Sequence, residues 1–348
     1  MKDGRYDYLE TGSLISIRES VENIVIPSEE RKLKMYPLDF EEFLWAMGEE
    51  LLADHIRICC QQRSALEQRT HARAMRLFQE YMLVGGMPQS VVAYADGGRD
   101  FYASDQEKRA ILDLYRDDIK KAAARYRSRV SVLFEHLPGF LATHEKKVVL
   151  GRIDEDSRYS RYDEHLFWLE DSMICNLCYK CNDPNVGFAL SRNETALKCY
   201  LGDTGLLVSL AFSETEIASQ QLYKAIMDGR LSLNKGMLYE NVIAQMIVAA
   251  GRKLYFYSRY SAKKHRNDME IDFLLSNESK TRFRIYPVEV KSSKNYTATS
   301  LTAFRTVFSE RVDQSIIIHP KSLLQDESLL KVPPYMLFFL LSQTFSGA

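Results

Sequence analysis

The chain has 348 residues, long for a single hydrophobic core, so two or three domains are expected. Its 46 basic residues almost balance 47 acidic ones, and the net charge of −1 excludes a polycation that coats nucleic acid over its whole surface. Six cysteines do not suggest a disulfide framework, no N-terminal stretch has the form of a signal peptide, and Met336-Leu337-Phe338-Phe339-Leu340-Leu341 is far short of the ~20 apolar residues that span a bilayer. A cytoplasmic protein with no membrane contact is the expectation, and any nucleic-acid contact must come from local basic patches.

In chain order, Tyr6-Asp7-Tyr8-Leu9 reads as a short strand leading into Thr11-Gly12-Ser13. Phe40, Phe43, Leu44 and Met47 keep helical spacing, and residues 51–130 carry a strongly helical pattern. Gly85-Gly86-Met87-Pro88 interrupts it, with a helix resuming at Gln89, and Asp96-Gly97-Gly98 marks another turn. Over 131–212 the elements shorten: a helix over 158–168, an extended apolar run over 173–181, a turn at Asp183-Pro184-Asn185, and a second extended run through Phe188-Ala189-Leu190. Helices followed by a two-stranded ribbon suggest a winged helix. Residues 213–235 read as a connector. From 236 the pattern is helix (236–250), strands (253–258, 270–276, 284–291), helix (300–308) and strand (314–319), while the apolar run at 336–341 reads as a buried strand or core helix. The expected fold class is a mixed, multidomain α/β protein.

Four residues in this last part suggest chemistry. Glu289 and Lys291, in Glu289-Val290-Lys291, project from one face of a strand. Asp272 ends a neighbouring strand, with Ile271, Phe273 and Leu275 alternating to the opposite face. On the helix over 236–250, Asn241 and Gln245 form a polar stripe while Glu240 lies beside Ile243 and Ile247, toward the sheet. A carboxylate buried there requires a metal or a lysine as partner. A strand Glu-x-Lys alone reads as an ion pair. The order helix Glu, strand Asp, strand Glu-x-Lys is instead that of a restriction-endonuclease-like phosphodiesterase, in which Asp272 and Glu289 would bind Mg²⁺, Glu240 would complete the site and Lys291 would stabilise developing charge.

Other candidates point less clearly. Cys175-x-x-Cys178-x-x-Cys181 has no fourth cysteine nearby, and a spacing of three on a strand turns neighbours to opposite faces, so small buried hydrophobes plus an exposed thiol are expected. Lys120-Lys121 and Arg125 to Arg129 read as solvated helix faces. Arg158 and Arg161 open the helix of the winged segment, where they could touch phosphates, and Lys263, Lys264 and Arg266 form a basic loop just before Asp272. The chain contains no Gly-x-x-x-x-Gly-Lys-[Ser/Thr] phosphate cradle.

Nearly the whole chain resembles a known family. Tyr36-Pro37-Leu38-Asp39-Phe40-Glu41-Glu42-Phe43-Leu44, Glu80 to Pro88, Tyr115-Arg116-Asp117-Asp118-Ile119, Trp168-Leu169-Glu170-Asp171, Lys235 to Asn241, Glu270-Ile271-Asp272-Phe273 and Pro287 to Lys291 are similar to bacterial AAA-type ATP-binding proteins. Their C-terminal domain of unknown function is of restriction-endonuclease-like, PD-(D/E)XK type. The resemblance implies an ATPase remnant over 1–50, a helical and winged-helix-like middle over 51–130 and 131–212, and an endonuclease-like domain over 236–348. It places Thr11 and Ser13 where such ATPases sense the γ-phosphate, and it implies that this is an N-terminally truncated member, lacking the phosphate loop and therefore not expected to bind ATP. It also allows an oligomer. Three functions follow as expectations: Mg²⁺-dependent hydrolysis of DNA, a catalytically inactive protein that binds nucleic acid or a partner, and an ATPase role carried by the family label.

Overall fold

The computed structural model describes residues 33–121, 127–143, 145–148, 162–213, 220–228, 234–263, 265–279, 282–326 and 328–344. Thr11, Ser13 and the strand expected at Tyr6 to Leu9 lie outside them, as do Arg158, Arg161 and Lys264. The chain is a mixed α/β protein. Helices come first: α1 (Phe40–Ala46), α2 (Glu50–Gln61), α3 (Gln68–Val84), α4 (Pro88–Asp96), α5 (Phe101–Lys121), α6 (Arg127–Leu141) and α7 (Asp163–Asp171). A reciprocal capping box between Asp39 and Glu42 starts α1, and Pro88 opens α4 at the position where its missing N–H costs nothing.

The Gly-Gly break before α4 is a packing requirement. Gly86 lies against the backbone of Leu38, whose N–H donates to the Gly86 carbonyl at 2.7 Å, and any Cβ at Gly86 would collide with the Leu38 carbonyl. Gly85 takes φ +82, a left-handed conformation that glycine adopts without strain. Asp203 locks the same turn, accepting the Gly86 N–H at 2.6 Å and the Leu206 N–H at 2.9 Å.

Strands β1 (Cys175–Cys181) and β2 (Arg192–Leu201) follow, then α8 (Thr204–Ala211), α9 (Gln220–Met227) and α10 (Lys235–Ala249). The expected extended run at Phe188 to Leu190 is a turn instead, because Ser191 ties its hydroxyl to the Asp183 and Gly187 carbonyls and closes the loop before β2. The expected connector contains a helix, α9, which buries Tyr223 and Ile226.

The remainder is β3 (Leu254–Ser261), β4 (Arg266–Ile271), β5 (Phe273–Ser279), β6 (Arg282–Val290), α11 (Thr299–Val307), β7 (Ser315–Ile318), β8 (Leu324–Asp326), β9 (Leu329–Val332) and α12 (Leu337–Thr344). The described residues form two sheets, ordered β2-β1-β3-β4 and β5-β6-β7-β9-β8. β1 pairs antiparallel with β2, a strand that begins only after the expected second run, and β1 also pairs in parallel with β3, Cys178 opposite Leu254. The first sheet therefore crosses the boundary expected between the middle segment and the endonuclease-like domain. What reads in sequence as one strand over 270–276 is two, β4 and β5, and Asp272 is the single residue where the chain passes from one sheet to the other.

A large core of buried apolar side chains extends from Phe40 through the helices into both sheets and ends at Leu341. A smaller one, with Tyr257, Ile271, Ile285 and Phe304, lies between β3, β4, β6 and α11. The apolar run at 336–341 forms α12, which returns to pack on α2 and α10. Among the described residues no helix is long and apolar enough to cross a membrane.

Candidate active site

Four elements converge at the bend between β4 and β5. Phe273 pairs with Val288 at the end of the antiparallel β5–β6 ladder, so Asp272 and Glu289 are the next residues beyond that end of the pairing. Asp272 turns one carboxylate oxygen onto the Val290 backbone N–H at 2.8 Å, satisfying the donor that the broken ladder leaves open. Glu289 is 2% exposed, and Lys291 on the same face places its ammonium 2.9 Å away. The Leu301 N–H, in the first turn of α11, also supports the Glu289 charge.

Glu240 arrives from the third side on α10, whose residues from Met237 to Ile247 are all buried. The expected polar stripe of this helix does not face solvent. Asn241 bonds the Leu201 backbone in both directions (2.8 and 3.1 Å), and Gln245 accepts from the Thr204 N–H and hydroxyl, each at 3.0 Å. Those amides fix α10 against β2 and the start of α8, and thereby fix Glu240.

The residues that hold Glu240 were not singled out from sequence. Lys146 contacts one carboxylate oxygen at 2.7 Å; Tyr200 donates to the other at 3.1 Å. Lys198, on β2, is 1% exposed and stands 3.7 Å from Glu240, 3.5 Å from Glu270 and 4.0 Å from Asp272. One signal for Lys198 existed: it is the single charge in the apolar run Ala196-Leu197-Lys198-Cys199-Tyr200-Leu201, and lysine is almost never fully buried without a partner. Lys146 carries no comparable signal.

Electrostatics tie Glu240, Asp272, Glu270 and Lys198 together, and Glu289 is linked to them through Lys291. Burial opposes the Lys198 charge, but Glu240, Asp272 and Glu270 outweigh it and hold the ammonium above its ordinary range. Burial works against the Glu240 carboxylate, yet the Lys198 and Lys146 ammoniums bring it below the usual value. Asp272 goes the other way: burial and the neighbouring Glu240 push it up to about 7, against Lys198 and the Val290 N–H. Burial likewise raises Glu289, only partly offset by Lys291. Lys291 is held up against burial by Glu289, with Asp272 and Glu240 adding to the field. Glu240, Asp272, Glu289 and Lys291, the four residues singled out from sequence, are thus brought together.

Among the described residues no three acidic, histidine or cysteine groups converge as a metal cage. Mg²⁺ does not require one, since it takes one or two carboxylates and completes its shell with water and substrate phosphate. Asp272 and Glu289 supply that donor set, so the residues fit the ion.

The other sequence candidates fall elsewhere. Lys263 is exposed at the β3–β4 hairpin and Arg266 begins β4, so the basic loop lies at the far end of that strand, roughly 20 Å from Asp272 at the rise of a β-strand. Cys175, Cys178 and Cys181 are all free and buried, which corrects the expectation of an exposed thiol.

Residues 75–217 match a family described as a domain of unknown function, DUF8612. Residues 235–334 match a second, DUF4143. No curated protein and no solved structure matches the chain. The chain therefore joins two domains of unknown function, the first contributing Lys146 and Lys198 to the site and the second Glu240, Asp272, Glu289 and Lys291.

Proposed function

We propose that this protein is a Mg²⁺-dependent phosphodiesterase acting on DNA, with its site at the β4–β5 bend. The observation that carries the reading is the placement of Asp272 and Glu289 where the β5–β6 pairing ends, Asp272 bonded to the Val290 N–H and the Lys291 ammonium 2.9 Å from Glu289. Mg²⁺ bound there would polarise a phosphate oxygen and lower the pKa of a bound water. Asp272 and Glu289 would hold the ion, and Lys291, about a quarter exposed, would steady charge on the phosphate. Glu240 orients the cluster from behind. A duplex lying along β4 would meet Lys263 about six base pairs from the reacting phosphate, given ~3.4 Å per base pair.

One observation favours a second reading, that of a nucleic-acid- or partner-binding protein without turnover. Glu240, Glu270, Asp272 and Glu289 already have three ammoniums against them, Lys146, Lys198 and Lys291, leaving at most one net negative charge when all four are ionised. The deciding experiment is nicking of supercoiled plasmid by the full chain with and without Mg²⁺. Metal-dependent nicking that Lys291→Ala abolishes supports hydrolysis. Salt-sensitive DNA binding with no metal-dependent cleavage supports docking.

A further inference from the structure

The preceding domain contributes to the carboxylate cluster a cation that no sequence motif foretells. Lys198 comes from β2, more than forty residues before Glu240, and is almost fully buried among three carboxylates of the following domain. Its position is over-determined: Lys198 pairs with Cys178 in the β1–β2 ladder, the Tyr200 hydroxyl two residues on bonds the same Glu240, and the Phe256 ring lies 5.1 Å from the ammonium. Lys146 closes the opposite side of Glu240 at 2.7 Å and is mostly buried.

A divalent ion held by Asp272 and Glu289 would share Asp272 with Lys198, whose ammonium lies 4.0 Å from that carboxylate. Like charges so close in a partly buried site repel strongly, because the effective dielectric is well below that of water. We infer that Lys198, supported by Lys146, is an internal competitor that lowers the affinity of the Asp272–Glu289 pair for divalent metal. This rests on the metal-binding reading proposed above and adds to it: the first domain sets how much metal the second domain holds. The consequence is a site that fills only when metal is plentiful or when a bound phosphate adds negative charge.

The test is calorimetric titration of Mn²⁺ alone into the full chain, without nucleic acid. Replacing Lys198→Met removes the charge and keeps the length, and Mn²⁺ is expected to bind at least tenfold more tightly. Lys198→Arg keeps the charge and is expected to stay within about threefold of the parent, by the same Coulomb argument. A purely structural role predicts the reverse sign for Lys198→Met, since a disordered cluster binds metal more weakly. Equal or weaker binding by Lys198→Met, with the parent binding normally, overturns the inference and leaves the metal reading intact. No binding by either protein overturns the metal reading itself. If Lys198→Met does not fold, Lys146→Gln is read by the same criterion: tighter binding than the parent supports the inference, and equal or weaker binding overturns it.

Discussion

The carboxylate of Asp272 accepts the Val290 N–H at 2.8 Å, tying the bend between the two sheets to the strand that carries Glu289 and Lys291. One side chain thus does two jobs, repairing an interrupted ladder and presenting its second oxygen to the cluster. The amide of an asparagine can repair the ladder as well, but it supplies no charge.

Asp272→Asn should therefore separate stability from metal binding. The wild-type carboxyl is raised to about 7, so the fold gains nothing from its ionisation. At pH 7.5 the variant is expected to melt no lower than the parent and to bind Mn²⁺ at least tenfold more weakly, by thermal melting and calorimetry. A large drop in melting temperature would show that the ionised carboxylate is needed by the fold.

Gly205 and Gly139 make a matched pair of glycine substitutions. A Cβ at Gly205 would overlap the Val84 carbonyl, which accepts from the Ser90 hydroxyl, and the Gly85 N–H, which donates to the Tyr81 carbonyl. Gly205→Ala should cost several kcal/mol, at the upper end of overpacking effects of about 1–3 kcal/mol, because backbone cannot move aside as a side chain can. Gly139, inside α6, faces open space. Gly139→Ala should be neutral or stabilising by up to ~1 kcal/mol through helix propensity. Urea denaturation of both variants checks the contrast.

Lys108 predicts a pH dependence far from the site. It is fully buried, donates to the Leu83 carbonyl at 2.7 Å and the Tyr223 hydroxyl at 3.1 Å, and faces Asp105 at 3.8 Å. Burial lowers its pKa to about 8, only partly resisted by Asp105. Below pH 8 both folded and unfolded chains hold the proton and there is no slope. Between about 8 and 10.5 the unfolded chain binds a proton that the folded chain does not, so stability rises with pH, by on the order of 3 kcal/mol in total. The stability difference between the parent and Lys108→Met, measured from pH 7 to 10.5, should shift in favour of the parent across that window. A flat difference would contradict the assignment.

Lys291→Ala should reduce metal-dependent nicking at least about a hundredfold, the scale of losing one stabiliser of transition-state charge. Mn²⁺ binding should persist, because Lys291 opposes the ion. Loss of cleavage together with loss of binding would instead make Lys291 a structural partner of Glu289.

Much of the second domain was legible because its signals are local. The two-residue period of Glu289 and Lys291, the helix over 236–250 and the strand ending at Lys291 all sit within one or two residues of their observed places. What sequence could not show depends on groups far apart in the chain. Asn241 and Gln245 look like a solvent-facing stripe until their amides meet the backbone at Leu201 and Thr204, about forty residues earlier. Phe188 to Leu190 carries an apolar strand-like texture, but a serine hydroxyl bonding two carbonyls turns it into a loop. Lys198 was not singled out, since its three partners all lie beyond the expected domain boundary and only its place in an apolar run hints at them. The parallel pairing of β1 with β3 has no local signature at all.

That pairing bears on how the two domains of unknown function can be inherited. A domain whose sheet closes on itself can be shuffled between proteins at little cost. Here a recombination event between residues 213 and 234 would leave β3 with an open edge and Glu240 with neither of its lysines. The unit that can move between genomes intact is the pair. Two polypeptides covering 1–230 and 231–348, a division that keeps α9 with the helices it packs against, should find each other and reassemble as a single particle when made together in one cell.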